Sequence, residues 1–527
     1  MLVRTRFFPS TALALGAVLA LTIPANAADG PATCPTNPAH PKRQLRAEWI
    51  ASVVNIDWPS RQGLSVQEQQ AEYVRLLDDA KSRKLNAVVV QIRPTADAFW
   101  PSPYEPWSEW LTGEQGRHPG YDPLAFLIRE AHARDLAFHA WFNPYRVSMQ
   151  NDPSKLVPSH PARQHPDWVF AYGPKLYYDP GVPAARAFVE NAILHAVENY
   201  DVDGVHFDDY FYPYPIAGQA LPDQRTYEQY GGGFANIDDW RRHNVDRLVE
   251  ETNARIHAKK PWVAFGISPF GIWRNRASDP RGSDTAGFES YSGIYADSLK
   301  WVDQGWVDYI NPQVYWNIGL AVADYAKLVP WWAERVRGTG VHLYVGQAAY
   351  KVGTSGAWLD PAELSRHLSF NRSYPEVQGD VYFSAKDVAA DRLGSITQVV
   401  AEHYARPALL PAETRRGGHA PQAPHAPLIL RVSRAGEGAE LTVRAFGGGA
   451  TSFAVYRFDG VTFPGECAFA DAAHLLGTVR AQGITTAGAS ATFVDPSARP
   501  DATYTYYATA LDRLQHESAR SLPRVLR

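Results

Sequence analysis

Asp208 and Asp209 are adjacent carboxylates that close the apolar run Gly204-Val-His-Phe207 and open the aromatic run Tyr210-Phe-Tyr-Pro-Tyr214. Carboxyls transfer protons and stabilise developing positive charge, and tyrosine faces suit the flat apolar sides of sugar rings. An isolated Asp-Asp is more often a helix cap or a turn, so the surrounding residues decide. Glycoside cleavage uses two carboxyls, one as acid and one as nucleophile or base. Neighbours in a strand point to opposite faces, so these two are not expected to flank one bond together. Asp208 shares the inward parity of Gly204 and His206. The expected partner comes from another loop, with Glu289 in Ser283–Tyr291 and Asp97 as candidates.

Polar residues recur at the ends of other short apolar runs. Gln91-Ile-Arg93 ends one, with Asp97 just beyond. Another reads His139-Ala-Trp141-Phe-Asn143-Pro-Tyr145-Arg146. His206 and Tyr210 bracket the acid pair. Ser268 and Trp273 follow a fifth run, Gln313, Tyr315 and Trp316 a sixth, and Gln347 and Tyr350 a seventh. The candidate substrate-binding set is therefore Arg93, Asp97, His139, Trp141, Asn143, Tyr145, Arg146, His206, Tyr210, Ser268, Trp273, Gln313, Tyr315 and Trp316. Arg93, Asn143 and Gln313 would hold hydroxyl or acetamido groups, and the tryptophans would stack. Several also have an ordinary structural alternative: Arg93 as the partner of Asp97 or of an Asp in the stretch 201–215, His139 as a core histidine, Trp141 and Trp316 as core. Asp308 stands at the start of its run and belongs toward the opposite end.

His139, His206 and Asp208 on neighbouring strands would suit a metal, which keeps a metal-dependent deacetylase open as an alternative. No His-x-His pair supports it, and two cysteines, Cys34 and Cys467, exclude a Cys-based site. They would suit one disulfide in an oxidising compartment. Gly231-Gly-Gly233 lacks the Lys-Ser of a nucleotide loop, and no Gly-x-Ser-x-Gly elbow precedes a helix. No cofactor is expected.

The elements that position these residues alternate. Apolar runs near 45–53, 86–93, 137–142, 204–208, 262–268, 307–314, 342–346 and 379–384 are each followed by a segment of helical periodicity. Eight such pairs predict an α/β fold, a (β/α)8 TIM barrel over 45–410. The stretches 94–121, 143–182, 209–236 and 269–295 follow strands and are rich in Trp, Tyr, Pro and Gly, so one rim carries recognition. A Pro-, His- and Ala-rich linker spans 411–427. Beyond it, 428–527 reads as short alternating strands, a small all-β sandwich of fibronectin type III kind.

The net charge of −4 gives no footprint for nucleic acid. Arg4 and Arg6, the apolar stretch Thr11–Ile23 and Ala25-Asn-Ala27 read as a signal peptide over 1–27, followed by a tether over 28–44. No apolar run reaches the ~20 residues of a membrane span. The mature chain is expected in the periplasm or outside the cell.

Gln91-Ile-Arg-Pro94, Pro106-Trp-Ser108, His139–Arg146, Asp203–Pro213, Gly266–Asn275 and Asn311–Trp316 resemble the bacterial glycosyl-hydrolase-like family 10, across Leu45 to Ala405. The resemblance implies an envelope glycosidase acting on peptidoglycan glycan strands whose stem peptides have been removed, with Asp208 and Asp209 as its central acids. Asp203, Gly204 and Asp208 are also similar to the Asp-Gly-x-Asp-x-Asp-x-Glu signature of family 18 chitinases, but His206 and Tyr210 replace the middle acid and the catalytic Glu. That departure leaves N-acetylated sugar polymers as substrate and suggests assistance by the acetamido group. The competing expectation is a non-catalytic barrel that only binds glycan.

Overall fold

The computed structural model describes residues 34–414, 423–485 and 487–527. The signal peptide expected at 1–27 and parts of the tether and linker lie outside the described residues.

Eight parallel strands close into a barrel in chain order: β1 Leu45–Ile50, β2 Ala87–Arg93, β3 Ala137–Phe142, β4 Gly204–Phe207, β5 Ala264–Ile267, β6 Tyr309–Ile310, β7 His342–Gln347 and β8 Val377–Tyr382. Helices α1 Val66–Ser82, α2 Pro123–Ala133, α3 Pro183–Asn199, α4 Ile237–Lys259, α5 Ser298–Asp303, α6 Tyr325–Val336, α7 Glu363–Asn371 and α8 Ser395–His403 return the chain. Local chemistry sets their starts. Ser65 and Glu68 form a reciprocal capping box on α1, and Asp122 caps α2 ahead of Pro123 in its first turn. β6 is much shorter than the expected 307–314. Pro312 has no N–H to donate, and pairing past Ile310 survives only as isolated bridges at Gln313.

Alternate residues fill the barrel: Ala47 and Trp49 from β1, Val89, Trp141, Tyr309, Tyr344 and Val381. Glu48, between Ala47 and Trp49, therefore faces outward toward Asp79 and Arg83 around α1, and burial pushes its carboxyl well above the ordinary range. It does not enter the barrel. The long segment after β3 folds into its own antiparallel sheet, Arg146–Ser148, Val169–Tyr172 and Lys175–Tyr178, with the last strand in the middle.

The C-terminal region is all β, consistent with a fibronectin-like domain. One sheet orders Leu428–Ala435, Gly438–Phe446, Gly488–Asp495 and Gln482–Thr485. The other orders Leu475–Arg480, Ser452–Asp459, Tyr504–Leu511 and Arg524–Leu526. Ile429, Leu441 and Val443 meet Phe453, Val455 and Tyr506 in the core between them. No described helix is long and apolar enough to cross a membrane.

The sandwich docks on the barrel rim where strands begin. Arg480 reaches Asp203 (3.3 Å) and Asp201 (3.5 Å), Arg513 reaches Asp201 (2.6 Å), and the Thr478 hydroxyl donates to Asp135. Burial alone would raise the Asp203 carboxyl. Arg480, His132 (2.8 Å) and the Phe138 N–H (2.9 Å) instead hold it far below the ordinary range. A carboxyl depressed on folding stabilises above its unfolded pKa, about 3.9, and loses that contribution as pH falls through the folded value. Asp203→Asn is thus expected to lower the melting temperature at pH 7. Denaturation scans should show the gap from the parent narrowing below about pH 4, and a constant gap would contradict the assignment.

Candidate active site

Strand C-termini open into a cleft of about 410 Å³. Asp208 and Asp209 both line it, 4% and 5% exposed. The expectation that they face opposite ways does not hold. β4 ends at Phe207, the chain leaves the strand at Asp208, and strand alternation no longer applies.

Asn143 donates from Nδ2 to both oxygens of Asp208 (3.1 Å each), and the Tyr210 N–H donates to Oδ1 (3.3 Å). Burial raises the Asp208 carboxyl more than Arg146, Asn143 and the Tyr210 amide lower it, and neighbouring Asp209 adds to the rise. Its pKa reaches about 7. Asp209 accepts from the Tyr214 hydroxyl and from Gln313 Nε2 (3.0 Å), and burial leaves it raised as well. Two adjacent acids with separate hydrogen-bond partners, one of them half-protonated near neutrality, can act as a proton donor beside a charge-stabilising anion. The described lining of the cleft contains no third carboxyl.

Trp141, Arg146, Tyr210, Ser268, Gln313 and Tyr315 of the candidate set also line the cleft. Gln91 lies on its floor, where its Oε1 accepts from the Ser52 and Val53 amides (3.0 and 2.9 Å). That leaves Gln91 Nε2 and Trp141 Nε1 as buried donors without a protein partner. Buried donors of this kind are costly unless a ligand or water satisfies them. Trp49, Phe270, Tyr350 and Phe383 supply aromatic walls.

Other candidates are held elsewhere. Glu289 anchors its loop: it accepts from the Asn275 N–H (2.9 Å), Asn275 Nδ2 (2.8 Å) and the Ser292 hydroxyl (3.1 Å), and is not among the lining residues. Burial would raise its carboxyl, but the hydrogen bonds prevail and hold it below the ordinary range. Asp97 is fully buried, bound to the Thr95 N–H (3.1 Å) and hydroxyl (3.0 Å). Arg93 pairs with neither Asp97 nor an Asp of the stretch 201–215; its partner is the buried Glu105. Asn143 is not among the lining residues and acts through two that are, donating to Asp208 and accepting from the Arg146 N–H (3.0 Å). Tyr145 and Trp273 are core, the latter donating to Asp297 (2.8 Å). Trp316 packs on Phe270, behind the wall.

The two histidines lie below the cleft. A strand advances ~3.3 Å per residue, so the inward position two residues earlier sits one layer, roughly 6–7 Å, lower. His206 is thus beneath Asp208 and His139 beneath Trp141. Trp49 Nε1 donates to His206 Nε2 (3.2 Å), which assigns the His206 Nδ1 proton to the Tyr309 hydroxyl (3.0 Å) and the Tyr309 proton to His139 Nδ1 (3.0 Å). Gly204 and Gly266 make room: an added Cβ would meet the His139 ring at 2.7 Å and the Tyr309 ring at 2.1 Å. Burial pushes both histidines down, His139 to about 4. His139, His206 and Asp208 do not converge as the deacetylase alternative requires, and among the described residues no group of three metal-ligating side chains forms.

Residues not anticipated are Trp49, Lys175, Tyr214, Phe270 and Phe383. Trp49 was accessible through its alternation with Ala47, and Tyr214 through its place in the run after the acids. Lys175 carried no signal, because its position depends on how the segment after β3 folds.

A family model described as Glycosyl hydrolase-like 10 matches residues 44–362. The chain is 49% identical over 493 residues to the glycosyl hydrolase YngK of Bacillus subtilis, covering 92% of this chain and 93% of that protein. It is 40% identical over 372 residues to the glycosyl hydrolase DigH of Escherichia coli, covering 66% of this chain and 84% of the relative. Among solved structures, the glycoside hydrolase domain of PgaB (BpsB) from Bordetella bronchiseptica aligns at 12% identity and a TM-score of 0.44, over 69% of this chain and 99% of that one, too distant to bear on function.

Proposed function

The chain belongs to the glycosyl hydrolase-like 10 family and is a glycosidase, and from that premise we propose that it cleaves an N-acetylhexosamine polymer, namely peptidoglycan glycan strands freed of their stem peptides, after export from the cytoplasm. The observation that carries this reading is the pair of buried acids in an aromatic cleft, with Asp208 titrating near neutrality. Asp208 donates its proton to the glycosidic oxygen as the bond to the anomeric carbon breaks. The acetamido carbonyl of the same sugar closes on that carbon, and Asp209, oriented by Tyr214 and Gln313, accepts a hydrogen bond from the acetamido N–H. The Asp208 carboxylate then takes a proton from the incoming water, which opens the ring intermediate and leaves a free reducing end. The absence of a third carboxyl from the described lining favours this substrate-assisted route over one needing a separate nucleophile.

The unpartnered Gln91 and Trp141 donors suit sugar oxygens, and the aromatic walls suit ring faces. A 410 Å³ cleft is large enough to hold sugar rings. Incubation with peptide-free strands and with intact peptidoglycan, read by mass spectrometry of new reducing ends, is expected to show products from the former and few from the latter. Tight binding without any product would leave a glycan-binding barrel instead.

A further inference from the structure

Two cations stand over the cleft, both from the small sheet after β3. Arg146 begins its first strand and lies opposite Tyr177, two residues from Lys175 on the neighbouring strand. Arg146 is buried. Its Nε donates to the Pro94 carbonyl (3.1 Å), its guanidinium lies 5.1 Å over the Tyr210 ring, and its charge acts on both Asp208 and Asp209. Lys175 is different. It lines the cleft beside Arg146, and no ion pair or side-chain hydrogen bond occupies its ammonium among the described residues. Burial and the neighbouring Arg146 both push its pKa down, the mark of a cation held where cations are disfavoured. Arg146 is answered by the acid pair. No described side chain balances the charge of Lys175, and an anion on the substrate would do so.

We propose that Lys175, with Arg146 beside it, is a subsite for a free carboxylate on the sugar, so that the enzyme reads the charge of the strand as well as its shape. This rests on the substrate reading given above. In such strands every second sugar bears a lactyl ether. Its carboxyl is an uncharged amide while a stem peptide is attached and a carboxylate once the peptide is gone. An ammonium in the cleft therefore distinguishes peptide-free from peptide-bearing strands directly: the carboxylate accepts a charge-assisted hydrogen bond, whereas the amide leaves the lysine unpaired. Charge at Lys175 is then a source of selectivity that remains even when the group added to the carboxyl is small.

The test isolates charge from size. Peptide-free strands are compared with the same strands capped as methyl amides, using the parent protein and Lys175→Met, which keeps most of the apolar stem. The parent is expected to favour the free carboxylate by about tenfold or more in kcat/KM, mostly through KM. Lys175→Met should melt like the parent and lose the preference. Equal hydrolysis of both strands by the parent, or a preference retained by Lys175→Met, overturns the subsite. Calorimetric binding of the two strands is measured in parallel. If neither strand yields product, the glycosidase substrate reading fails, and the binding preference and its loss in Lys175→Met still decide whether the carboxylate is read.

Discussion

Asp208→Asn is expected to lower kcat by about 10²–10⁴-fold on peptide-free glycan strands, the usual worth of a positioned acid–base group, with KM changed little. The side chain keeps its size and an oxygen to accept from Asn143 Nδ2, so the loss is chiefly one of proton transfer. The pH profile makes the assignment specific. The acid works protonated, so activity of the parent falls as pH rises through about 7. Asp209 works as an anion, and its pKa is also raised by burial, so activity falls again on the acid side. The substituted amide cannot titrate, and the alkaline limb should vanish from the residual activity. Stability should move the other way. A carboxyl raised on folding costs stability as pH climbs from its unfolded value, about 3.9, through the folded one. Asp208→Asn should therefore melt at or above the parent temperature at pH 8. An alkaline limb that persists in the variant would assign the acid elsewhere.

The second large effect concerns Arg93. Its side chain and that of Glu105 are both fully buried. Nε donates to Glu105 (2.7 Å), a second nitrogen completes the bidentate pair, and Nη1 donates to the carbonyls of Asn143 and Pro144 (3.1 Å to the latter). One residue thus ties the loop after β2 to the loop after β3, and the second loop carries the Asn143 that holds Asp208. Arg93→Met strands the Glu105 carboxylate in the core, which typically costs ~3–5 kcal/mol. The melting temperature should drop by several degrees. Arg93→Met combined with Glu105→Leu removes both charges and should recover much of it, because replacing a buried pair by apolar groups is close to neutral. A sugar-binding arginine would behave oppositely, raising KM without loss of stability. Arg93 is a positioning residue, and a KM effect at unchanged stability would contradict that.

Much of this molecule is legible in local pattern. Asp122 before Pro123, and Ser65 three residues before Glu68, announce helix starts without tertiary knowledge. Alternation of Gly204, His206 and Asp208 announces an inward face. Such patterns fail where the chain leaves its repeat. Strand alternation sends Asp209 outward, but the strand stops at Phe207, and the apolar run 307–314 continues past Ile310, where Pro312 interrupts the pairing. They also cannot measure depth: His139 and His206 point inward as expected, but one layer below the chemistry. Glu105 and Lys175 are absent from any reading by barrel strand ends, since each lies in the long excursion that follows a barrel strand, Lys175 on its small sheet.

The amino-acid sequence by itself determined the eight strand–helix pairs, the rim with the long loops and the acid pair at the end of the fourth strand, since periodicity and composition are properties of neighbouring residues. Only the tertiary structure decided which polar strand ends meet in the cleft. Closure of the barrel brings Trp49 and Phe383 from the two ends of the barrel sequence to one wall, and burial, with Asp209 alongside, raises the Asp208 carboxyl to about 7 against the lowering by Arg146 and Asn143. The folded segment after β3 sets Lys175 over the same cleft. Burial and long-range charge are set by residues far apart in the chain, which no local spacing encodes.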